Sequence, residues 1–306
     1  MIFGVRTRIP LTQKILGTEH ISSKKVLGGL RFITPGPMTL CSTDPHIHYL
    51  TSLIKSDFLS IKLRDCFMPD VRQSDLYAKY MQSLGWIVEK IDDTNVFIKK
   101  ILFFSVIKIQ RPNILSLSKL KLLKNKYRAI KVNIEPGQGW RLLPTKTIII
   151  DLLNLNIPKD TRYEIRKSQN TKLLIKVTDD IDGFYKMLQE TMRIGHWEIP
   201  IKREVTNLYK AFKPYNSAIL MTQHSGCLMI WDKDTAHYMY AANTTSGLKL
   251  GAAYLTLWDA IKFCQKKGLK YLDLEGIYDE RFPSENKNWQ GFTKFKMGWG
   301  GEVVEY

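Results

Sequence analysis

The spacing of apolar residues switches between two periods along the chain. Asp70 and Ser74 both suit a helix N-cap. Behind them Leu76, Tyr77, Tyr80, Met81 and Leu84 recur at the three-to-four spacing of one helix face, with Gly85 where a terminating glycine belongs. Residues 86–89 and 96–99 predict two strands around the turn 92–95. Residues 103–109 predict a third, ended by Arg111-Pro112. Residues 116–128 predict a helix with Leu117, Leu120 and Leu123 inward and Lys119, Lys121, Lys124, Lys126 and Arg128 outward, and 129–134 the next strand. Ile148-Ile149-Ile150 predicts a short buried strand. Pro158 suits the first turn of a helix carrying residues 161–167, and 172–177 return as a strand. A longer helix over 179–195 presents Phe184, Met187, Leu188 and Met192. Three strands at 217–222, 227–231 and 236–241 make an antiparallel meander, followed by an amphipathic helix over 250–267, a strand at 271–274, and a last helix and strand around Phe295-Lys296 and Val303-Val304.

The first 67 residues show no sustained periodicity. All seven Trp and all but one of the 14 Tyr lie beyond them, which makes this stretch either a loosely packed extension or an upstream misreading of a chain starting at Met68. The expected organisation is therefore a poorly patterned N-terminal segment, 1–67, a first, reduced domain, 68–157, and a second domain, 158–306. Strands and helices alternate in both, so the fold class is α/β (α+β), with mixed sheets flanked by helices.

Composition narrows the chemistry. With 44% hydrophobic residues the 306-residue chain can bury a core, which argues against disorder. Forty-six Lys and Arg against 29 Asp and Glu give +17, of which residues 68–306 carry +12. That field favours phosphate-bearing or anionic partners. Cys41, Cys66, Cys227 and Cys264 form no CxxC pair and read as free thiols of a reducing compartment. The six His supply no zinc spacing, so a metal site is not expected. No apolar run reaches the 18 or so residues of a membrane span, and no signal peptide opens the chain, so a cytoplasmic location is the expectation.

Meander, helix, strand, helix, strand is the order of the acetyltransferase-like (GNAT) fold. More specific strings narrow it. Tyr271-Leu272-Asp273-Leu274-Glu275-Gly276-Ile277, followed by Gly291-Phe292-Thr293-Lys294-Phe295-Lys296-Met297-Gly298-Trp299, resembles the carboxy-terminal signature of the FemABX peptidoglycan aminoacyltransferases. Residues 147–152 with 161–168 are similar to that family's strand and Arg-x-x-Ile-Arg-Lys-Ala helix. Tyr238-Met239-Tyr240-Ala241-Ala242 is similar to its Tyr-x-Tyr-Gly-Ala strand. Gln82-Ser83-Leu84-Gly85-Trp86 and Ile109-Gln110-Arg111-Pro112 resemble the opening of its first domain. The resemblance covers about residues 70–306. It departs at Glu275, where the family has glycine, at Arg111-Pro112, which lacks an intervening glycine, and in having no helical-arm insertion.

The resemblance implies two acetyltransferase-like subdomains. It also implies transfer of an amino acid from aminoacyl-tRNA to the stem-peptide amine of a UDP-linked or lipid-linked peptidoglycan precursor, without coenzyme A or metal. Contact with the inner membrane face would be peripheral. It makes Lys296 the ammonium that stabilises the tetrahedral oxyanion of ester aminolysis, with Phe295 beside it. Arg111, Arg162, Tyr163, Arg166 and Lys167 become candidate phosphate or sugar contacts and Tyr240 a candidate for the acceptor cleft. Asp273, at the end of a central strand, is the best-placed general base by sequence, with Glu275 next to it. Two other readings stay open. An acyl-CoA-dependent N-acyltransferase would use the loop Ser246-Gly247-Leu248-Lys249-Leu250-Gly251-Ala252, a weak match to a pyrophosphate-binding turn. A non-catalytic RNA-binding module would use the basic surface alone.

Overall fold

The structure, a computed structural model, describes residues 60–62, 70–136 and 143–306. Of the expectation for residues 1–67 only β1 (Ser60–Lys62) falls within it; the rest lies outside the described residues. Asp70 accepts from the backbone N–H of Arg72 at 2.9 Å and opens a single 3-10 turn, Val71–Gln73. Ser74 caps α1 (Asp75–Ser83) through the Tyr77 N–H at 3.1 Å, and Gly85, at φ +77°, ends it as the pattern predicts. Then follow β2 (Ile87–Ile91), β3 (Thr94–Ile101), β4 (Phe104–Gln110), β5 (Ile114–Ser116), α2 (Leu117–Lys126) and β6 (Ala129–Glu135). β2, β3 and β4 are antiparallel and β6 runs parallel to β4, giving a four-stranded sheet in the order β2-β3-β4-β6; β5 pairs with β1. Val96, Ile98, Ile107, Ile109 and Ile134 form its core with Leu120 of α2.

The second half comprises β7 (Lys146–Asp151), α3 (Lys159–Gln169), β8 (Lys176–Thr178), α4 (Ile181–Ile194) and α5 (Lys202–Phe212). The meander β9 (Ser217–Met221), β10 (Ser225–Asp232) and β11 (Thr235–Asn243) comes next. The chain closes with α6 (Thr245–Lys249), α7 (Ala252–Lys266), β12 (Tyr271–Gly276), α8 (Gln290–Met297) and β13 (Glu302–Glu305). Its seven-stranded sheet has the order β13-β7-β12-β11-β10-β9-β8. Mixed sheets with helices on their faces are what the sequence predicts. β7, which lies before residue 158, pairs antiparallel with both β12 and β13, so the chain passes from one sheet to the other between Glu135 and Lys146.

The two sheets share a core. Tyr77, Tyr80 and Met81 of α1 pack in one buried cluster with Phe184 and Leu188 of α4, Leu208 and Phe212 of α5, and Tyr240 of β11. Two irregularities position the site. β11 and β12, parallel neighbours, pair only from Thr235↔Tyr271 to His237↔Asp273 and then part. In β10 and β11 the register shifts, with Leu228↔Tyr240 followed by Met229↔Tyr238, so Met239 is an extra residue.

Candidate active site

The end of β12 is where sequence, backbone and charge converge. Between Asp273↔Ile149 and Gly276↔Thr147 the strand carries one residue more than β7, and Glu275 takes up the excess at φ +59°. This left-handed conformation is one that glycine adopts freely and other residues at a cost. The Asp273 carboxylate holds the bulge by accepting the Glu275 N–H at 2.6 Å. The Thr147 hydroxyl is shared between that carboxylate and the Glu275 carbonyl, 2.9 Å away.

The bulge turns the Glu275 side chain one way and its carbonyl another. The buried carboxylate accepts from Arg72 Nη2 at 2.9 Å and from His237 Nδ1 at 2.8 Å. Arg72 also donates to both oxygens of Asp70 (2.9 and 3.2 Å). Asp70 in turn accepts from Arg111 Nη1 at 2.8 Å, and Arg111 Nη2 donates to the Pro144 carbonyl at 2.7 Å. Burial alone would raise the Glu275 carboxyl, but Arg72 and His237 hold it well below the usual carboxylate range. Burial likewise depresses the His237 imidazolium, and the hydrogen bond and charge of Glu275 outweigh it, leaving His237 raised above 6.5. Burial and the neighbouring Glu275 charge push Asp273 up. His237, Asp273 and Glu275 bring three ligand-type atoms within 4.8 Å of one another. With the Arg72 guanidinium bonded to the same Glu275 carboxylate, a cation entering there meets a fixed positive charge, so the cluster reads as an ion-pair network.

The carbonyls go to Lys296. Its Nζ donates to Gly276 O at 2.7 Å and to Glu275 O at 3.3 Å, and lies 5.0 Å over the Phe292 ring. Burial pulls this ammonium down to about 8. α8 is held by Trp289 and Trp299, both fully buried, and Phe295 packs edge-on to Tyr254 at 5.0 Å. Gly276 leaves no room for a side chain: a Cβ there would stand 2.4 Å from Pro144 Cγ and 2.8 Å from the Trp289 ring. Gly276→Ala is therefore expected to cost about 1–3 kcal/mol of stability by overpacking, read in a denaturant titration, and to shift Lys296 away from the pocket described next.

Lys296 forms part of the wall of a pocket of about 390 Å³ between the end of β11, the start of α7 and α8, and is its only charged residue among the described ones. Phe292, Phe295, Tyr238 and Trp197 supply much of the apolar wall. Two lining residues, Trp197 and Asn243, each carry a buried polar atom, Nε1 and Oδ1, without a hydrogen-bond partner among the described residues. A small pocket, mostly apolar, with one buried ammonium in its wall is suited to hold a ligand that carries a polar or anionic group.

The sequence-predicted residues fall into three groups. Lys296 and Phe295 line the pocket. Arg162, Tyr163, Arg166 and Lys167 are exposed along α3, which packs beside α7. The others lie elsewhere. Arg111 is buried, bonded as above and stacked 3.5 Å from the Tyr306 ring centroid, so it faces no open surface for phosphate. Asp273 is not in the pocket wall, and its carboxylate is engaged in holding the bulge. Tyr240 is buried in the shared core beneath α1 and does not line the pocket; the extra residue Met239 gives the pocket Tyr238 instead. Trp197, Asn243, Arg72 and His237 had no signal in the sequence beyond residue type.

Comparison with known proteins supports the resemblance read from the sequence. The FemAB family model matches residues 200–306, the segment that carries Phe295, Lys296, Glu275 and the pocket's α8 wall. Among solved structures, the crystal structure of FemX superimposes with a TM-score of 0.66 at 12% identity, covering 81% of this chain and 95% of that one. The C-terminal domain (DUF2156) of a protein described as a lysylphosphatidylglycerol synthetase from Agrobacterium fabrum gives 0.54 at 11%, covering 76% and 86%. At such identities the likeness establishes the fold. No curated protein matches the sequence.

Proposed function

We propose that the protein is an aminoacyltransferase that moves an amino acid from aminoacyl-tRNA to the stem-peptide amine of a UDP-linked or lipid-linked peptidoglycan precursor. The observation that carries this reading is Lys296. It is the one charge in the wall of the pocket among the described residues, held by two carbonyls, in the segment that matches the FemAB family. A lysine ammonium has three N–H donors. Two go to Glu275 O and Gly276 O, and the third serves the oxygen that becomes negative when the amine attacks the aminoacyl ester. Asp273 is then a positioning residue, fixing the bulge that aims those carbonyls. Proton removal from the attacking amine falls to water or to the leaving tRNA hydroxyl.

Donor binding would draw on the +12 of residues 68–306 and on the exposed arginines of α3. Arg162→Ala/Arg166→Ala is expected to raise the KM for aminoacyl-tRNA about tenfold with kcat little changed, and to flatten the dependence of that KM on salt. Unchanged KM and salt slope would place the tRNA on another face.

The deciding assay offers labelled aminoacyl-tRNAs with soluble and lipid-linked muropeptide acceptors, beside acyl-CoA donors. Transfer from tRNA supports the proposal. Gly247 and Gly251 line the same pocket, so an acyl-CoA donor is the second reading, and activity with acyl-CoA alone would establish it. RNA binding without transfer from any donor would favour a non-catalytic module.

A further inference from the structure

The hairpin joining β3 to β4 departs from turn chemistry. Ile101 pairs with Phe104, so the loop is only Leu102-Phe103. Two-residue loops favour Asn-Gly or Asp-Gly, because their backbone enters the left-handed region. Here Leu102 adopts φ +52°, and the two loop residues are 92% and 81% exposed. The sequence thus accepts both backbone strain and solvated apolar surface at one tip. Neighbouring residues extend the patch. Phe104 is half-exposed, and Ile130 stands out at the irregularity between the pairs Ser105↔Ala129 and Val106↔Lys131.

The rim of this patch is basic. No Asp or Glu occurs between Asp93 and Glu135, while that stretch holds eight Lys and two Arg, of which Lys108 and Arg111 are buried. Lys100 is exposed one residue before the paired Ile101. Arg128 is exposed beside the tip, its carbonyl accepting from the Ser105 N–H. Asp92 and Asp93 lie at the opposite end of β3, and Glu89 is already bonded to Lys126 and Tyr127. An apolar wedge with a cationic collar is complementary to a lipid surface, where acyl chains take up the wedge and anionic headgroups the collar.

We infer that the β3–β4 hairpin is a membrane-docking tip that inserts Leu102, Phe103 and Phe104 into an anionic lipid surface, with Lys100 and Arg128 against the headgroups. The inference stands apart from the transfer reaction, since vesicle binding reads the hairpin and turnover on a soluble acceptor reads the pocket.

The test is flotation of the full chain with phosphatidylcholine vesicles, with and without about 30% phosphatidylglycerol. The parent is expected to bind the anionic vesicles and to release as salt rises. Leu102→Asn puts a residue that tolerates the left-handed φ where leucine is strained, and Phe103→Gly removes an exposed ring, so the variant should fold about as well as the parent, its Tm within a few degrees. Its partitioning should nevertheless fall about tenfold or more. Lys100→Glu/Arg128→Glu should abolish the preference for anionic lipid. Fluorescence of the Phe103→Trp protein should shift to the blue on vesicle addition and be quenched by brominated acyl chains. Equal binding by the Asn-Gly variant, equal binding to neutral vesicles, or an indole at the tip that brominated chains leave unquenched overturns the inference. So does a parent that ignores vesicles, whether these residues then bind RNA or a second copy of the chain.

Discussion

Replacing Lys296 by alanine is expected to cut aminoacyl transfer about 100- to 1,000-fold, the effect of losing one preorganised donor to a developing oxyanion. The fold should survive. Burial has already drawn this ammonium down to about 8, so its removal takes a desolvated charge out of the interior and leaves two carbonyls beside a pocket that can admit water. The pH profile separates this role from a structural one. Lys296 loses its proton as pH rises through about 8, so the parent's kcat should fall above that point even as the attacking amine becomes more reactive. Lys296→Arg retains charge at all accessible pH. It should keep a fraction of the activity and lose that descending limb, as single-turnover rates from about pH 6.5 to 9.5 would show. Activity in Lys296→Ala within about threefold of the parent would remove the lysine from the chemistry.

The second large effect is on stability. Glu275→Ala should destabilise the protein by about 3–5 kcal/mol, because it removes the buried carboxylate that bridges Arg72 and His237, leaving the guanidinium with Asp70 alone and the imidazole without its hydrogen bond. Glu275→Gly should recover about 1 kcal/mol of that, since φ +59° suits glycine and strains alanine. Equal midpoints and slopes for the two variants in denaturant would refute the strain. The pH dependence has two arms. Glu275 is depressed, so its contribution is full above about 4.5 and fades as pH falls through its folded value. His237 is raised, so its contribution is full below about 6.5 and fades as pH rises through its folded value. Stability from the pair therefore peaks between those two pH values, and Glu275→Ala should flatten both arms.

Local chemistry was readable and long-range pairing was not. Ser74, Gly85 and the face of α1 are visible because cap and period lie close together in the chain. Phe295 and Lys296 were visible because the chemistry is carried by a contiguous string. α5 escaped the sequence reading although Val205, Leu208, Tyr209 and Phe212 have helical spacing. It opens at Ile201 with no side-chain cap, so nothing marked its start. Tyr240 was a candidate for the cleft through the resemblance of its string alone, and a string does not show the extra residue in β11 that decides which face each tyrosine takes. Glu275 stood out as a departure from a glycine, but its meaning depended on Arg72, Asp70 and His237, and a sequence without contacts holds no sign that these meet.

The bond from Arg72 to Glu275 joins residues 203 positions apart, and that separation sets an order of events during synthesis. At ribosomal speeds of about 5–20 residues per second, roughly 10 to 40 s pass between the two. For that interval the strands β2, β3, β4 and β6 can assemble, since their contacts are local, while the Arg72 guanidinium has Asp70 as its one carboxylate partner. A nascent chain halted before β12 should accordingly hold the turn at Val71–Gln73 only through Asn95 and Gln110, and exchange its amide protons faster than one released after β12 and α8. The N-terminal sheet is thus made early and locked late, by the same strand end that shapes the pocket.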